Sequence, residues 1–263
     1  MIKGIFFTDI DGTLIDHYTY SFEQSIEGVE LLKSRGIPLV PVSSKTFDEI
    51  SILMNDLGLD SPFVFENGSG IAYPEGEGYR ADVAGGGIEG LRDIIPVIEE
   101  NTGEKALPLI DLSAEEISRY TGLSVEKAEL ALKRRASLPF IFEKRTLLTD
   151  SEIGVLGDII KKQGAILTKG GRFNHLLPAG AGKGEAVKKV VEFYGINPEH
   201  LFTAAAGDSM NDIPMLTAVN KGYLVRKHDG SYVENEGMFH VTEGTGPAGF
   251  TEAVKDYLDY IMV

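Results

Sequence analysis

Residues 6–16 read FFTDIDGTLID. An apolar run ends in two aspartates, Asp9 and Asp11, and then in a Gly-Thr turn. Carboxylates this close repel each other, and a strand buried only for packing gains nothing from them. The stretch therefore reads as a buried strand over Lys3 to Asp9 whose carboxyl end carries chemistry. Beyond it, Phe22 to Arg35 reads as a helix stopped by Gly36. Ile37 to Val42 reads as a second strand containing Pro38 and Pro41, which limit its edges. Phe47 to Leu57 is a second helix stopped by Gly58, and Pro62 to Phe65 a third strand. This β-α-β-α-β alternation is the signature of a parallel sheet covered by helices.

The alternation then breaks. ENGSGIAYPEGEGY (66–79) reads as a hairpin and AGGG (84–87) as a linker. One helix follows Ser113, with Glu116 three residues on as a capping box. Others run from Val125 to Arg135, after Ser124, and over residues 151–164; residues 165–178 read as a hairpin. After Pro178 the alternation returns. Lys183 to Tyr194 has apolar residues Val187, Val190, Val191 and Tyr194 at helical spacing. A strand over Leu201 to Ala206, a helix over Ile213 to Val219, a strand over Gly222 to Val225 and a helix over Phe250 to Met262 complete the chain. The fold class implied is α/β: a Rossmann-like parallel-sheet core from residues 1–83 and 177–263, with an inserted α+β cap over residues 84–176.

The chain has 263 residues, 43% of them hydrophobic, enough for a sizeable core. No apolar run reaches the length that spans a bilayer, so no membrane is expected. The N-terminus opens on a strand pattern rather than a charged segment with a long apolar stretch, so no cleaved leader is expected. The absence of cysteine removes disulfides, zinc-thiolate sites and a thiol nucleophile, and fits a cytoplasmic location. The net charge of −15 repels phosphate backbones, which argues against nucleic acid. It also repels anionic substrates, so a phosphate site here needs local positive charge. Composition leaves monomer or homodimer open.

Open parallel sheets bind ligands beyond the carboxyl ends of their strands. Four expected strands end there in DIDGT, VSSKT, FENGSG and GDSMND. If the strands are neighbours, Asp9, Asp11, Asp208 and Asp212 converge, and a hard divalent cation, Mg²⁺, relieves their repulsion. One aspartate of the first pair can attack phosphorus; the other can protonate the leaving alcohol and later deprotonate water. Ser43 and Lys183 can hold phosphoryl oxygens. His17, His200, His228 and His240 show no metal-site spacing and read as structural or exposed.

DIDGT, a serine after the second strand, a lysine at a helix start and GDSMND resemble, in order, the four signature motifs of the haloacid dehalogenase-like hydrolases. The insertion resembles the C2-type cap of that superfamily's sugar-phosphate phosphatases. SSKT (43–46), ENGSGI (66–71), LSAEEISRYTGLS (112–124), ALKRRASLPF (131–140) and GGRFNHL (170–176) resemble the mannosyl-3-phosphoglycerate phosphatases. Two positions depart from that pattern: Asn174, where an aromatic is usual, and Gly182, where an acidic residue is usual. The resemblance implies a Mg²⁺-dependent phosphatase that forms mannosylglycerate, a compatible solute, through an aspartyl-phosphate. It implies Asp9 as nucleophile, Asp11 as acid/base, and Asp9, the Asp11 carbonyl and Asp208 as metal ligands. Asp212 is then either a ligand or the group that orients Lys183. Ser43 and Lys183 bind the phosphoryl group, and Ser44, Lys45, Glu66, Asn67 and Gly68 assist from the core. Arg172 and His175 are the cap candidates for a glycerate carboxylate or sugar hydroxyls. Related readings are a phosphatase for glucosyl-3-phosphoglycerate or sucrose phosphate, a phosphomutase, or a non-catalytic binding module.

Overall fold

The computed structural model describes residues 4–261 apart from 86, 146, 171 and 197–199. Lys3, Met262, Gly86 of the expected linker and Gly171 of the GGRF stretch therefore lie outside the described residues. Strand β1 (Gly4–Thr8) is buried at every position. Side chains alternate across a strand, so Phe6 and Phe7 leave on opposite faces. Phe6 joins Leu32, Phe250 and Tyr257 in one apolar layer, and Phe7 joins Val40, Val187 and Leu224 in the other. A parallel strand covered on both faces has no polar side, which explains the unbroken apolar run.

The chain continues through α1 (Ile26–Ser34), β2 (Leu39–Pro41), α2 (Phe47–Asp56), β3 (Phe63–Phe65) and the hairpin β4 (Gly70–Glu75) and β5 (Gly78–Val83). Next come α3 (Ile88–Arg92), α4 (Ile95–Thr102), β6 (Ala106–Pro108), α5 (Ala114–Thr121), α6 (Val125–Leu132), β7 (Leu138–Phe142), α7 (Asp150–Lys162), β8 (Ala165–Gly170) and β9 (Phe173–Pro178). The last third holds α8 (Lys183–Tyr194), β10 (Phe202–Gly207), α9 (Ile213–Thr217), β11 (Lys221–Arg226), β12 (His240–Thr245) and α10 (Gly246–Ile261).

The core sheet has the order β12-β11-β10-β1-β2, with every pairing parallel. A parallel bridge from Val42 to Val64 carries it on to β3. The cap sheet has the order β6-β7-β9-β8 and is antiparallel throughout. Alternate residues of β7 serve its two faces: Phe140 and Phe142 pack with Leu91, Ile98 and Ile160, and Ile141 with Ile117 and Ala128. Core and cap are thus separate apolar units, an α/β core and an α+β cap.

Several elements differ from the sequence reading. The first helix begins at Ile26 because the Ser25 hydroxyl bonds the carbonyls of Leu14 and Phe22, tightening residues 23–25 into a 3₁₀ turn. The second strand shortens to Leu39–Pro41, between its prolines. Strand β12, sequence HVTEGT, is new; it pairs on one side only and needs no long apolar run. Helices α3 and α4 are also new, and β9 runs to Pro178, past the expected cap boundary at 176.

The return from β3 is sharp. Glu66, Asn67 and Gly68 all have positive φ (51°, 57° and 88°). A Cβ at Gly68 would lie 2.2 Å from the Gly182 carbonyl oxygen, so this backbone passes directly beneath the start of α8. Gly68→Ala should lose at least about 2 kcal/mol of stability, from steric conflict and a backbone region that L residues avoid. Urea unfolding checks this; an unchanged midpoint would show that the two loops separate freely.

Candidate active site

The four polar strand ends lie at the carboxyl ends of β1, β2, β3 and β10. Register fixes the central pair, since Thr8 stands beside Ala206 and both strands then release an aspartate. Asp9 donates its amide to the Ala206 carbonyl at 2.8 Å. Lys183, at the first turn of α8, extends between the two sides. Its Nζ lies 2.6 Å from Asp9 Oδ1 and 2.6 Å from Asp212 Oδ1, and all three residues are buried.

The other oxygen of Asp212 is fully engaged: Oδ2 accepts from the amides of Asp208 (3.2 Å) and Ser209 (3.0 Å) and from the Ser209 hydroxyl (2.8 Å). Asp9, Asp208 and Asp212 each offer an oxygen within 4.8 Å of the others. Three carboxylates around one ammonium leave surplus negative charge in a dry site. Burial, then Asp212, pushes the Asp9 carboxyl well above its usual range, with Asp208 adding and Lys183 opposing. Burial, then Asp212, raises Asp208 to about 7. Burial works against the charge on Lys183, but Asp212 and Asp9 outweigh it and hold its pKa above the usual value. A hard cation fits this donor set, because oxygen ligands with excess negative charge are what Mg²⁺ requires.

Asp11 takes a different course. The chain leaves extended geometry after Thr8 and turns, with the Thr13 and Ile15 amides bonding the Ile10 carbonyl. Asp11 reaches Lys45 Nζ at 3.0 Å, and the Lys45 ammonium also lies 3.9 Å from Glu49. Burial lowers the Lys45 pKa, but Asp11 and Glu49 reverse the effect and raise it. Asp9, Asp11, Ser44 and Asp208 share one cavity of about 450 Å³. Ser43 is buried beside it: its amide bonds Val64 O, its carbonyl accepts from Asn67 N at 2.8 Å, and its Oγ accepts from Lys45 N.

Glu66 is committed elsewhere. Its Oε1 accepts from the Arg135 amide (2.8 Å); its Oε2 accepts from the Ala136 amide (3.1 Å), the Ser137 amide (2.7 Å) and the Ser137 hydroxyl (2.8 Å). A core carboxylate expected to touch substrate instead grips a cap loop. Arg134 adds a bond to the Ser44 carbonyl at 3.1 Å, and Thr46 Oγ1 donates to Leu130 O at 3.2 Å. Residues 130–137 thus join the cap to the core at Ser44, Thr46 and Glu66.

Of the cap candidates, His175 is buried and neither ring nitrogen has a hydrogen-bond partner of normal geometry. Burial, then Arg134, depresses it to about 3, with Lys183 adding and the Gly170 carbonyl opposing. His175 is neutral near pH 7 and suits a hydroxyl better than a carboxylate. Arg172 lies further out and donates to the Thr121 carbonyl. Asn67 Nδ2 and Arg134 Nε are likewise buried without partners, while Asn67 Oδ1 accepts weakly from Asn211 at 3.4 Å. Asn67 lines a cavity together with Lys183 and Asn211, and an unpartnered buried donor there is what a polar ligand would satisfy. The sequence reading did not single out Arg134, Asn211, Tyr20 or Lys127. Arg134 and Asn211 sit inside stretches already quoted; Lys127 reads as an ordinary helix-surface lysine, and only folding puts it near Asp11.

A parallel sheet, a separate cap and a buried Asp–Lys–Asp group at the strand ends define a capped, Rossmann-like hydrolase. The chain matches the haloacid dehalogenase-like hydrolase family over residues 6–102 and 122–232, and it belongs to that family. It is 35% identical over 271 residues to a glucosyl-3-phosphoglycerate/mannosyl-3-phosphoglycerate phosphatase of Methanococcoides burtonii, with 98% of each chain covered. It is 38% identical over 274 residues to one of Persephonella marina, again with 98% of each covered. The chain is a phosphoric monoester hydrolase. Its fold is also that of the sucrose-phosphatase of Synechocystis, solved with sucrose and phosphate (TM-score 0.65, 16% identity, 100% of this chain and 99% of that one). A sugar phosphatase of haloacid dehalogenase subclass IIB shares it too (TM-score 0.66, 19% identity, 96% and 98%).

Two outcomes follow from this geometry. An aspartate raised to about 7 binds its proton more tightly folded than unfolded, where its value is near 3.8. Its ionisation therefore costs stability increasingly as pH rises from the lower value to the upper. In chelator, Asp208→Asn should raise the melting temperature more at pH 8 than at pH 5, because only part of the ionisation cost is present at the lower pH, and should remove any stabilisation by added Mg²⁺. Equal shifts at both pH values would contradict the charge argument. Separately, Glu66→Ala should cost about 2–4 kcal/mol by leaving the amides of the 135–137 loop unpaired in a buried place. Its protease sensitivity should rise first near residues 130–137; cleavage confined to other loops would show that Glu66 does not hold the cap.

Proposed function

We propose that this protein is a Mg²⁺-dependent phosphatase acting on a glycosyl-3-phosphoglycerate, with mannosyl-3-phosphoglycerate as favoured substrate and mannosylglycerate as product. The observation that carries the chemistry is the division of labour within DIDGT: Asp9 joins Lys183 and Asp208, while Asp11 turns to Lys45 in the same cavity. The similarity of both relatives, along 98% of this chain, supports a glycosyl-3-phosphoglycerate as the substrate class; the mannosyl preference rests on the sequence stretches that resemble the mannosyl-3-phosphoglycerate phosphatases.

In the reaction, a carboxylate oxygen of Asp9 attacks phosphorus as the bond from phosphorus to the leaving oxygen breaks. Asp11 delivers a proton to that oxygen, releasing the glycosylglycerate as an alcohol. Asp11, now ionised, takes a proton from water as the water oxygen attacks phosphorus. The bond to Asp9 breaks, and inorganic phosphate and the free Asp9 carboxylate are regenerated. Lys183 and the Ser43–Ser44 turn hold phosphoryl oxygens during both transfers. Asp9, Asp208 and the Asp11 carbonyl would hold Mg²⁺ in this reading; Asp212, with Lys183 on one oxygen and the Asp208 and Ser209 amides on the other, orients Lys183. The bound cation would supply charge neutralisation between the Asp9 carboxylate and the phosphoryl dianion. Asn67, whose side-chain nitrogen has no partner, would reach a hydroxyl or phosphoryl oxygen. Residues 84–178 form the cap that excludes water, and the enzyme works in the cytoplasm.

Phosphate release tests this reading. With Mg²⁺, mannosyl-3-phosphoglycerate should be hydrolysed faster than glucosyl-3-phosphoglycerate, sucrose 6-phosphate or p-nitrophenyl phosphate, and chelator should abolish each rate. Asp9→Asn should lower kcat at least about 10⁴-fold while the far-ultraviolet spectrum stays unchanged. Residual turnover near wild type would remove Asp9 as nucleophile, and preference for another substrate would discard the sugar assignment alone.

A further inference from the structure

The cap brings a second group of cations to the Asp11 side of the cavity. Lys127 lies in the first turn of α6, with its Nζ 3.1 Å from the centroid of the Tyr20 ring. Tyr20 belongs to the core, and Lys45 stands 5.6 Å from the same centroid. The lysine that pairs with Asp11 and a lysine supplied by the cap thus approach the same aromatic ring. Arg172 adds a third cation, its guanidinium anchored at one end by the Thr121 carbonyl where α5 ends. Among the described residues, neither Lys127 nor Arg172 has an ion-pair partner. Of the two nearby carboxylates, Asp11 already pairs with Lys45, and Glu49 Oε2 accepts from the amide and hydroxyl of Thr46.

This arrangement costs the protein stability. A cation in the first turn of a helix opposes the helix dipole. Burial, then Lys45, depresses the Lys127 pKa, with Arg172 adding and Asp11 and Glu49 opposing. Tyr20 itself holds φ at 60°, an unusual conformation for a bulky residue. Asp16 braces it, its Oδ1 accepting from Tyr18 N, Thr19 N and Thr19 Oγ1. In a chain of net charge −15, cations gathered against one another are a local exception. An anion arriving with the substrate would relieve them.

We propose that Lys127, with Arg172, forms an anion pocket over Tyr20 that reads the carboxylate of the leaving group beside Asp11, making Lys127 a specificity-determining residue. This rests on the phosphoglycerate reading above. The leaving oxygen must lie within reach of Asp11, and a glycerate carboxylate is two carbons from that oxygen, so it falls on the Lys45–Lys127 side. Lys127 belongs to the cap and Tyr20 to the core, so the pocket exists only with the cap seated. Bound carboxylate therefore favours the closed arrangement by its differential affinity for it.

The test compares wild type, Lys127→Gln and Lys127→Arg on glucosyl-3-phosphoglycerate and on p-nitrophenyl phosphate, whose leaving group has no carboxylate. D-Glycerate serves as a competing anion. In Lys127→Gln, the ratio of the two kcat/KM values should fall about 10- to 100-fold, as expected for loss of a charge-assisted contact. The Ki for D-glycerate should rise in parallel, and Lys127→Arg should restore most of both. If wild type prefers the phosphoglycerate but Lys127→Gln keeps that preference, the pocket assignment is overturned and the functional reading stands. If wild type shows no preference for the carboxylated substrate, both fall together.

Discussion

A lysine almost without access to water lies between aspartates from distant parts of the chain. Lys183 meets Asp9, 174 positions away, and Asp212, 29 away, each at 2.6 Å. Burying three charges is expensive, and removing one partner leaves another uncompensated. The grouping persists only where geometry is tight, and here three elements supply it. β1 and β10 run side by side in register, and α8 starts just where the cap returns the chain to the core. The 3₁₀ turn at residues 66–68 lies under that start, with Gly68 against Gly182.

The same constraint separates two chemically identical groups. Asp9 and Asp11 differ by two positions, yet one is drawn into a buried network and the other turned toward a half-buried lysine. The turn after Thr8 makes the difference, together with the position of the cations. Such divergent environments allow two carboxylates to serve opposite steps of one reaction.

Much of this was legible in the sequence. The run at Phe6 and Phe7 announces a strand covered on both faces, and the polar strand ends point to four converging carboxylates, of which Asp9, Asp208 and Asp212 cluster while Asp11 turns to Lys45. Period and capping residues reveal the helices after Ser113 and Ser124 because those signals are local. Edge strand β12 escaped because one-sided pairing needs little apolar sequence. The destination of Glu66 was also hidden, since a glutamate beside Asn-Gly looks the same whether it meets ligand or a loop seventy residues away. Lys127 was harder still: helical periodicity assigns it to a surface, and only the seating of α6 brings that surface against Tyr20 of the core. What sequence reads poorly is contact between separately folded units, where no periodicity reports the partner.

The joint between Glu66 and the cap has a consequence for how such proteins diversify. Three of its four hydrogen bonds come from main-chain amides, those of Arg135, Ala136 and Ser137. Main-chain donors are common to nearly all residues, so the mounting is largely indifferent to which side chains the cap carries there. A lineage can rewrite the cap's recognition surface and keep the same socket. The catalytic half then stays constant while the repertoire of accepted molecules drifts, and inheritance of the docking geometry does not require inheritance of the substrate.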